Sequence, residues 1–230
     1  MNVLIACEES QRVCIEFRKL GHNAFSCDIQ EPSGGHPEWH ILGDVLKVLT
    51  PYDNGFIGFQ TMDRKNHYIQ GKWDLIIAHP PCTYLSNAGA ARLYPKSGQL
   101  NRERYQLGLQ AKEFFMNFLN ADCEKICIEN PIPSRIYNLP QYTQIIQPYE
   151  YGHPYSKKTC LWLKNLPLLQ PTEIVQPICF WVSRGSKTHK GQKRTNCGTA
   201  FRDGKTRSKT FPGIAKAMAE QWGSKAECTQ

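Results

Sequence analysis

The 230 residues suffice for one substantial hydrophobic core and fall short of two full-sized domains; 40% of them are hydrophobic, the share of an ordinary globular protein. No apolar run approaches the ~20 residues of a membrane span, and the opening MNVLIACEES meets glutamates at once, unlike a signal peptide, so a cytoplasmic protein is expected. The net charge of +8 is concentrated between Ser183 and Lys209, where nine basic residues stand against the single acid Asp203, a distribution suited to a polyanion and not to an acidic partner surface.

Taken in chain order, NVLIAC at residues 2–7 predicts a short strand. In SQRVCIEFRKLGH the spacing of Val13, Ile15, Phe17 and Leu20 predicts a helix that stops at Gly21. NAFSCDI predicts a second strand ending at Asp28, and HILGDVLKVL a further turn carrying Gly43 and Asp44. Residues 50–72 show no clear period and are expected to form an irregular surface insertion. WDLIIAH predicts a buried strand that runs straight into AHPPCTYLSNAG. Leu107, Leu109, Phe114, Phe115, Phe118 and Leu119 predict a helix across 101–121, and KICIENP another buried strand. YTQIIQPYEYG and TCLWLKNLP are expected to pair as strands, and PGIAKAMAEQWG to form a helix with Pro212 near its start and Gly223 at its stop. Strands alternating with helices predict an open α/β sheet with largely parallel strands, whose ligands bind beyond the carboxyl ends of the strands.

The residues at those ends are the candidates for chemistry. Asp28 stands where a ribose would be held, Asp44 where an adenine amino group would be received, and the backbone from Cys7 to Gln11, with Ala6, Glu8 and Ser10, where it would face the rest of a nucleoside. Neither G-x-x-x-x-G-K-[ST] nor G-x-G-x-x-G occurs, which excludes the phosphate-cradling loops of ATPases and dinucleotide enzymes and favours S-adenosyl-L-methionine, a cofactor without phosphates. Pro80 and Pro81 fix the backbone as it leaves the sheet and restrict where Cys82 can stand, as a nucleophile requires. Its thiol needs a cationic neighbour to ionise, for which His79, Lys157, Lys158 and Arg92 are candidates. Glu129, at the mouth of the KICIENP strand, is suited to gripping the edge of a pyrimidine. The ten cysteines are scattered singly, mostly within apolar runs, with no C-x-x-C pair, so neither a disulfide scaffold nor a metal site is expected.

Together HPPCTYLS, IENP, SCDI and GDV resemble the motifs of the DNA cytosine-5 methyltransferases, in particular short methylase-like members of bacteriophage type, for which the host cytoplasm would be the compartment. YGHPYSKKTCLWL and RSKTFPGIAKAMAEQW resemble the family's later motifs, so the likeness holds in order over most of the chain. Glu9, Gln11 and Arg12 stand where the family's first motif carries glycines, and His79 where a glycine is frequent. The resemblance implies a Rossmann-like methyltransferase fold with helices on both faces: a catalytic core over 1–164, a very small basic recognition region over 165–209, and a returning helix over 210–230. It implies double-stranded DNA as substrate, with the target base flipped and attacked at carbon 6 by Cys82 while Glu129 holds the ring. Lys158 would stand beside the reacting base, and Asn130 and Pro81 would support the loop. Ile29, Val45, His79 and Pro80 would join the cofactor site. Lys157, Arg184, Lys187, Lys190, Lys193, Arg194, Arg202, Lys205 and Arg207 would contact the nucleic acid. So small a recognition region implies relaxed sequence specificity. An RNA cytosine methyltransferase, a DNA amino-methyltransferase and a nucleic-acid binder without catalysis are the alternatives.

Overall fold

A computed structural model describes residues 1–90, 92–95, 98–180 and 204–224, with the backbone alone at Cys179, Phe180, Gly204 and Lys205. In chain order the elements are β1 (Asn2–Ala6), α1 (Arg12–Lys19), β2 (Asn23–Asp28), β3 (His40–Leu42), β4 (Phe56–Gln60), β5 (Asn66–Gln70), β6 (Leu75–Ala78), α2 (Asn87–Ala90) and α3 (Arg102–Leu119). After these come β7 (Lys125–Pro131), β8 (Gln144–Ile146), β9 (Tyr155–Ser156), β10 (Thr159–Lys164), β11 (Cys179–Phe180), α4 (Gly204–Ser208) and α5 (Pro212–Gly223).

Seven strands form one mostly parallel sheet in the order β3-β2-β1-β6-β7-β10-β8, compatible with a Rossmann-like fold. β10 alone runs against its neighbours, pairing Thr159 with Pro131 on one side and with Ile146 on the other. The chain builds outward from β1 through β2 to β3, then returns to place β6 on the other flank of β1, in register from Val3 opposite Leu75 to Ala6 opposite Ala78. The reversal opens a crevice at the carboxyl ends of β1 and β6, the usual ligand position in such sheets.

The continuous apolar runs of β1 and β6 follow from burial on both faces. Side chains alternate across a strand, so Leu4, Ala6, Ile76 and Ala78 enter one core with Phe115 and Phe118 of α3, whereas Val3, Ile5, Leu75 and Ile77 enter a second with Phe17 of α1 and Met218 and Trp222 of α5. Burying each of these large side chains contributes roughly 1.5–3 kcal/mol. Helix α1 ends as its sequence predicts, with Gly21 in the left-handed region at φ 78°. Helix α3 begins at the cap Asn101, whose side chain accepts a hydrogen bond from the Arg104 amide.

Residues 50–72 are not irregular. They hold the antiparallel hairpin β4–β5, in register from Phe56 opposite Gln70 to Gln60 opposite Asn66. Its inner face buries Ile57, Phe59 and Ile69, and the Phe59 ring packs edge-on to Phe25 at 4.8 Å. The alternation of these apolar residues with Gly58, Gln60, Tyr68 and Gln70 is a period-two signal, interrupted by the turn at residues 61–65.

The described beginning of the small region is docked on the core. Leu169 is fully buried, and its backbone exchanges two hydrogen bonds of 2.8 Å with the Gln144 side chain. Among the described residues, no helix is long and apolar enough to cross a membrane.

Candidate active site

A cavity of about 560 Å³ lies at the carboxyl ends of β1, β2 and β6. Eight of the ten residues expected at a cofactor line it: Cys7, Glu8, Ser10, Asp28, Ile29, Asp44, Val45 and His79. Pro81 and Cys82 line it as well. Ala6 and Pro80 stand behind this wall. Ala6 is buried in the sheet with its carbonyl accepting from the His79 amide, and the Pro80 carbonyl accepts a 3.1 Å hydrogen bond from Asn130 Nδ2.

Local structure explains how the acids are held. Asp28 ends β2, and its Oδ1 accepts from the Gln30 amide at 2.9 Å; Asp44 caps a short 3-10 turn through the Leu46 amide at 3.0 Å. Each cap engages one oxygen while the residue still faces the cavity. Ile29, 78% exposed at the rim, offers an apolar face beside them. Glu8 is differently employed, since its carboxylate accepts from the Val13 and Cys14 amides at the start of α1 at 2.7 and 3.3 Å. Burial raises its pKa despite those amides and the charge of His79.

The backbone where the first motif departs from glycine is left-handed at Cys7 (φ 57°) and Gln11 (φ 56°). Gln11 is fully buried, and its side chain donates to Ser26 Oγ and the His36 carbonyl and accepts from the His36 amide. These three bonds hold a non-glycine residue in the conformation that a glycine takes without them.

Three thiols line the cavity, and their surroundings distinguish them. Burial and the carboxylates of Asp28 and Asp44 push Cys7 and Cys27 far up, Cys27 to about 12. Half-buried Cys82 is raised by burial and by Glu129, but it alone has a cation, Lys157, pulling it down. Lys157 Nζ is anchored on the Arg207 carbonyl at 3.3 Å, whereas Lys158 is exposed and is not among the residues acting on Cys82.

Glu129 stands on β7 one residue beyond Ile128, which pairs with Ala78, so the register places it beside His79. His79 Nδ1 lies 2.9 Å from Glu129 Oε2, each side chain 11% exposed. Burial depresses the imidazole and raises the carboxyl; their mutual contact outweighs both effects, so His79 ends above and Glu129 below its ordinary value. Each side chain therefore favours the charged form of the other.

Arg104 of α3 fastens the segment after Cys82. It donates to the Gly89 carbonyl at 3.1 Å and the Thr83 carbonyl at 3.3 Å, and its guanidinium lies 4.9 Å from the centre of the Tyr84 ring. Arg104→Ala is expected to cost about 1–2 kcal/mol of stability and to increase amide exchange selectively across residues 82–90, read by hydrogen-exchange mass spectrometry. Unchanged exchange there would show that the segment is held by other means.

Sequence reasoning missed Phe114, Ser208, Lys209 and Thr210, which also line the cavity. Lys209 Nζ reaches Ser33 Oγ at 2.7 Å and Glu9 Oε1 at 3.5 Å, and Arg12 donates to the Thr210 carbonyl at 2.6 Å, so the segment before α5 closes one side. Only the phenylalanine periodicity of α3 could have hinted at any of them. Arg184, Lys187, Lys190, Lys193, Arg194 and Arg202 lie outside the described residues, as does the side chain of Lys205. Among the described residues, no three His, Cys, Asp or Glu side chains converge as metal ligands. No family model matches the chain, and no curated protein matches it.

Proposed function

We propose that this protein is an S-adenosyl-L-methionine-dependent methyltransferase that modifies carbon 5 of cytosine in DNA through a covalent Cys82 adduct. The observation that carries this reading is that the strand-end acids Asp28 and Asp44 and the cation-assisted thiol of Cys82 line one cavity. The mostly parallel sheet with helices on both faces is the scaffold that the sequence resemblance implies.

The cavity suits an adenosine-bearing cofactor in size and lining. About 560 Å³ lies within the range of small-molecule sites, and the lining joins acids to apolar side chains without phosphate-binding machinery. Asp28 would hold the ribose hydroxyls and Asp44 the adenine amine, with Ile29, Val45 and Phe114 as apolar surroundings. When bound, the cofactor supplies an electrophilic methyl carbon.

The protein's own residues account for activating the ring; after methyl transfer a base removes the carbon 5 proton so that sulfur can leave. A flipped cytosine, extruded at a cost of a few kcal/mol, enters beside Cys82, and Sγ adds to ring carbon 6. Glu129 hydrogen-bonds the pyrimidine edge and stabilises charge displaced into the ring. Lys157 favours the thiolate over the thiol, the form that attacks. Asn130 holds the Pro80 carbonyl, which keeps the nucleophile loop in place. Basic residues over 184–207 supply phosphate contacts without reading sequence.

The test is covalent trapping on duplex DNA containing 5-fluorocytosine, with an RNA arm beside it. A cofactor-dependent complex stable to denaturing gel electrophoresis is expected on DNA; its absence from both polymers sinks the reading, and a complex on RNA alone reassigns the substrate. Asp28→Ala is expected to weaken S-adenosylmethionine about 10- to 100-fold by calorimetry, the equivalent of about 1.4–2.8 kcal/mol. Unchanged affinity would remove the ribose role of Asp28.

A further inference from the structure

Within this methyltransferase reading, we propose that His79 is a proton relay connecting the Cys82 thiol to Glu129, so that the proton lost by sulfur is matched by one delivered to ring nitrogen 3 of the target cytosine.

The imidazole touches one partner and shares a cavity with the other. Its Nδ1 faces Glu129 Oε2 at 2.9 Å. The ring lines the same cavity as Cys82, and Nε2 is buried with no hydrogen-bond partner. A buried polar nitrogen left unpaired is costly unless something in the cavity, substrate or water, engages it. Three charged side chains act on the ring from neighbouring elements: Glu129 on β7, Glu8 after β1 and Lys157 ahead of β10. The two acids raise the ring's affinity for a proton against burial and against the lysine.

The step balances within these groups. The Cys82 sulfur forms its bond to carbon 6 as the 5,6 double bond opens, and the displaced electron pair is carried through carbon 4 to nitrogen 3. Neutral His79 gives its Nδ1 proton to Glu129, which passes it to nitrogen 3, while the unprotonated Nε2 takes the proton that Cys82 releases into the cavity, directly or through water, so the ring ends neutral as its other tautomer. When sulfur later leaves, the sequence reverses. No oxidant, reductant or metal is required.

The experiment measures the rate of adduct formation on 5-fluorocytosine duplex DNA at pH 5 and pH 8 for the wild-type protein and for His79→Asn, which keeps an amide donor near Glu129 but cannot exchange a proton. The variant is expected to be about 100-fold slower at pH 8 and within a few-fold of wild type at pH 5, where the more abundant hydronium ion supplies the proton in place of the relay. Equal loss at both pH values marks a structural role and overturns the relay, as does no loss at either. If His79→Asn does not fold, the imidazole titration followed by NMR in wild type and Glu129→Gln decides. The wild-type midpoint should lie above the ordinary ~6.5 and fall in the variant, and an unmoved midpoint overturns the relay. A wild-type protein that forms no adduct at all removes the transferase reading and the relay with it, whereas trapping by both proteins to the same extent removes the relay alone.

Discussion

Cys82→Ser is expected to form no detectable covalent complex with 5-fluorocytosine DNA and to lose more than 10³-fold in methyl transfer while binding S-adenosylmethionine within about two-fold of wild type. A hydroxyl ionises far less readily than a thiol, and the assistance that Lys157 gives Cys82 cannot make up the difference. The other two thiols of the cavity offer no rescue. Cys7 and Cys27 sit among carboxylates that oppose ionisation, so Cys7→Ser should trap DNA as wild type does. The serine fills nearly the same volume at a half-buried position, so thermal stability should be retained. The measurements are denaturing gels, radiolabelled methyl transfer and calorimetry on the same preparations. Residual trapping above one-tenth of wild type would move the nucleophile elsewhere.

Gly213→Ala is expected to destabilise the protein by about 2–3 kcal/mol, the upper part of the usual range for overpacking, lowering Tm by roughly 4–12 °C. Gly213 lies in the first turn of α5 and donates to His153 Nε2 at 2.9 Å. A methyl group added there lands on the Tyr151 carbonyl oxygen, well inside contact distance, and close to the same histidine nitrogen. Because the obstruction is backbone, it cannot swing aside; α5 must shift, and with it Ile214, Met218 and Trp222, all buried against α1 and the sheet. Arg12 grips the Thr210 carbonyl two residues before the helix, so the displacement reaches the cavity wall and should also weaken S-adenosylmethionine several-fold. Melting curves and calorimetry check both effects. A Tm within 1 °C of wild type would show that the start of α5 tolerates movement.

The strands at the centre of the sheet were legible because burial on both faces leaves them continuous apolar runs. NVLIA and LIIA could scarcely be anything else, and the acids and thiol at strand ends followed from where such sheets bind ligands. The β4–β5 hairpin was not legible, since the alternation is only five residues long on each strand and His67 stands at an inward position opposite Phe59. Nor was the choice between Lys157 and Lys158, because both lie in the short connection between β9 and β10, where sequence alone does not tell which side chain turns inward. Lys209 and Thr210 reach the cavity through contacts with partners 176 and 198 residues earlier in the chain, separations over which local pattern carries no information. Glu8 lines the crevice, but its carboxylate is engaged by the amides of α1, a use that depends on the angle at which that helix departs.

The placement of β1 has a consequence for assembly. This strand is synthesised before its partners: its flank against β6 waits for residues 75–78 and the cover over its second face waits for α5 at 212–223. A nascent chain therefore carries an open, strongly apolar strand edge until those residues emerge. Contacts this distant in sequence place folding in the slow, high-contact-order regime, and the unfinished chain is a natural client for chaperones until α5 emerges.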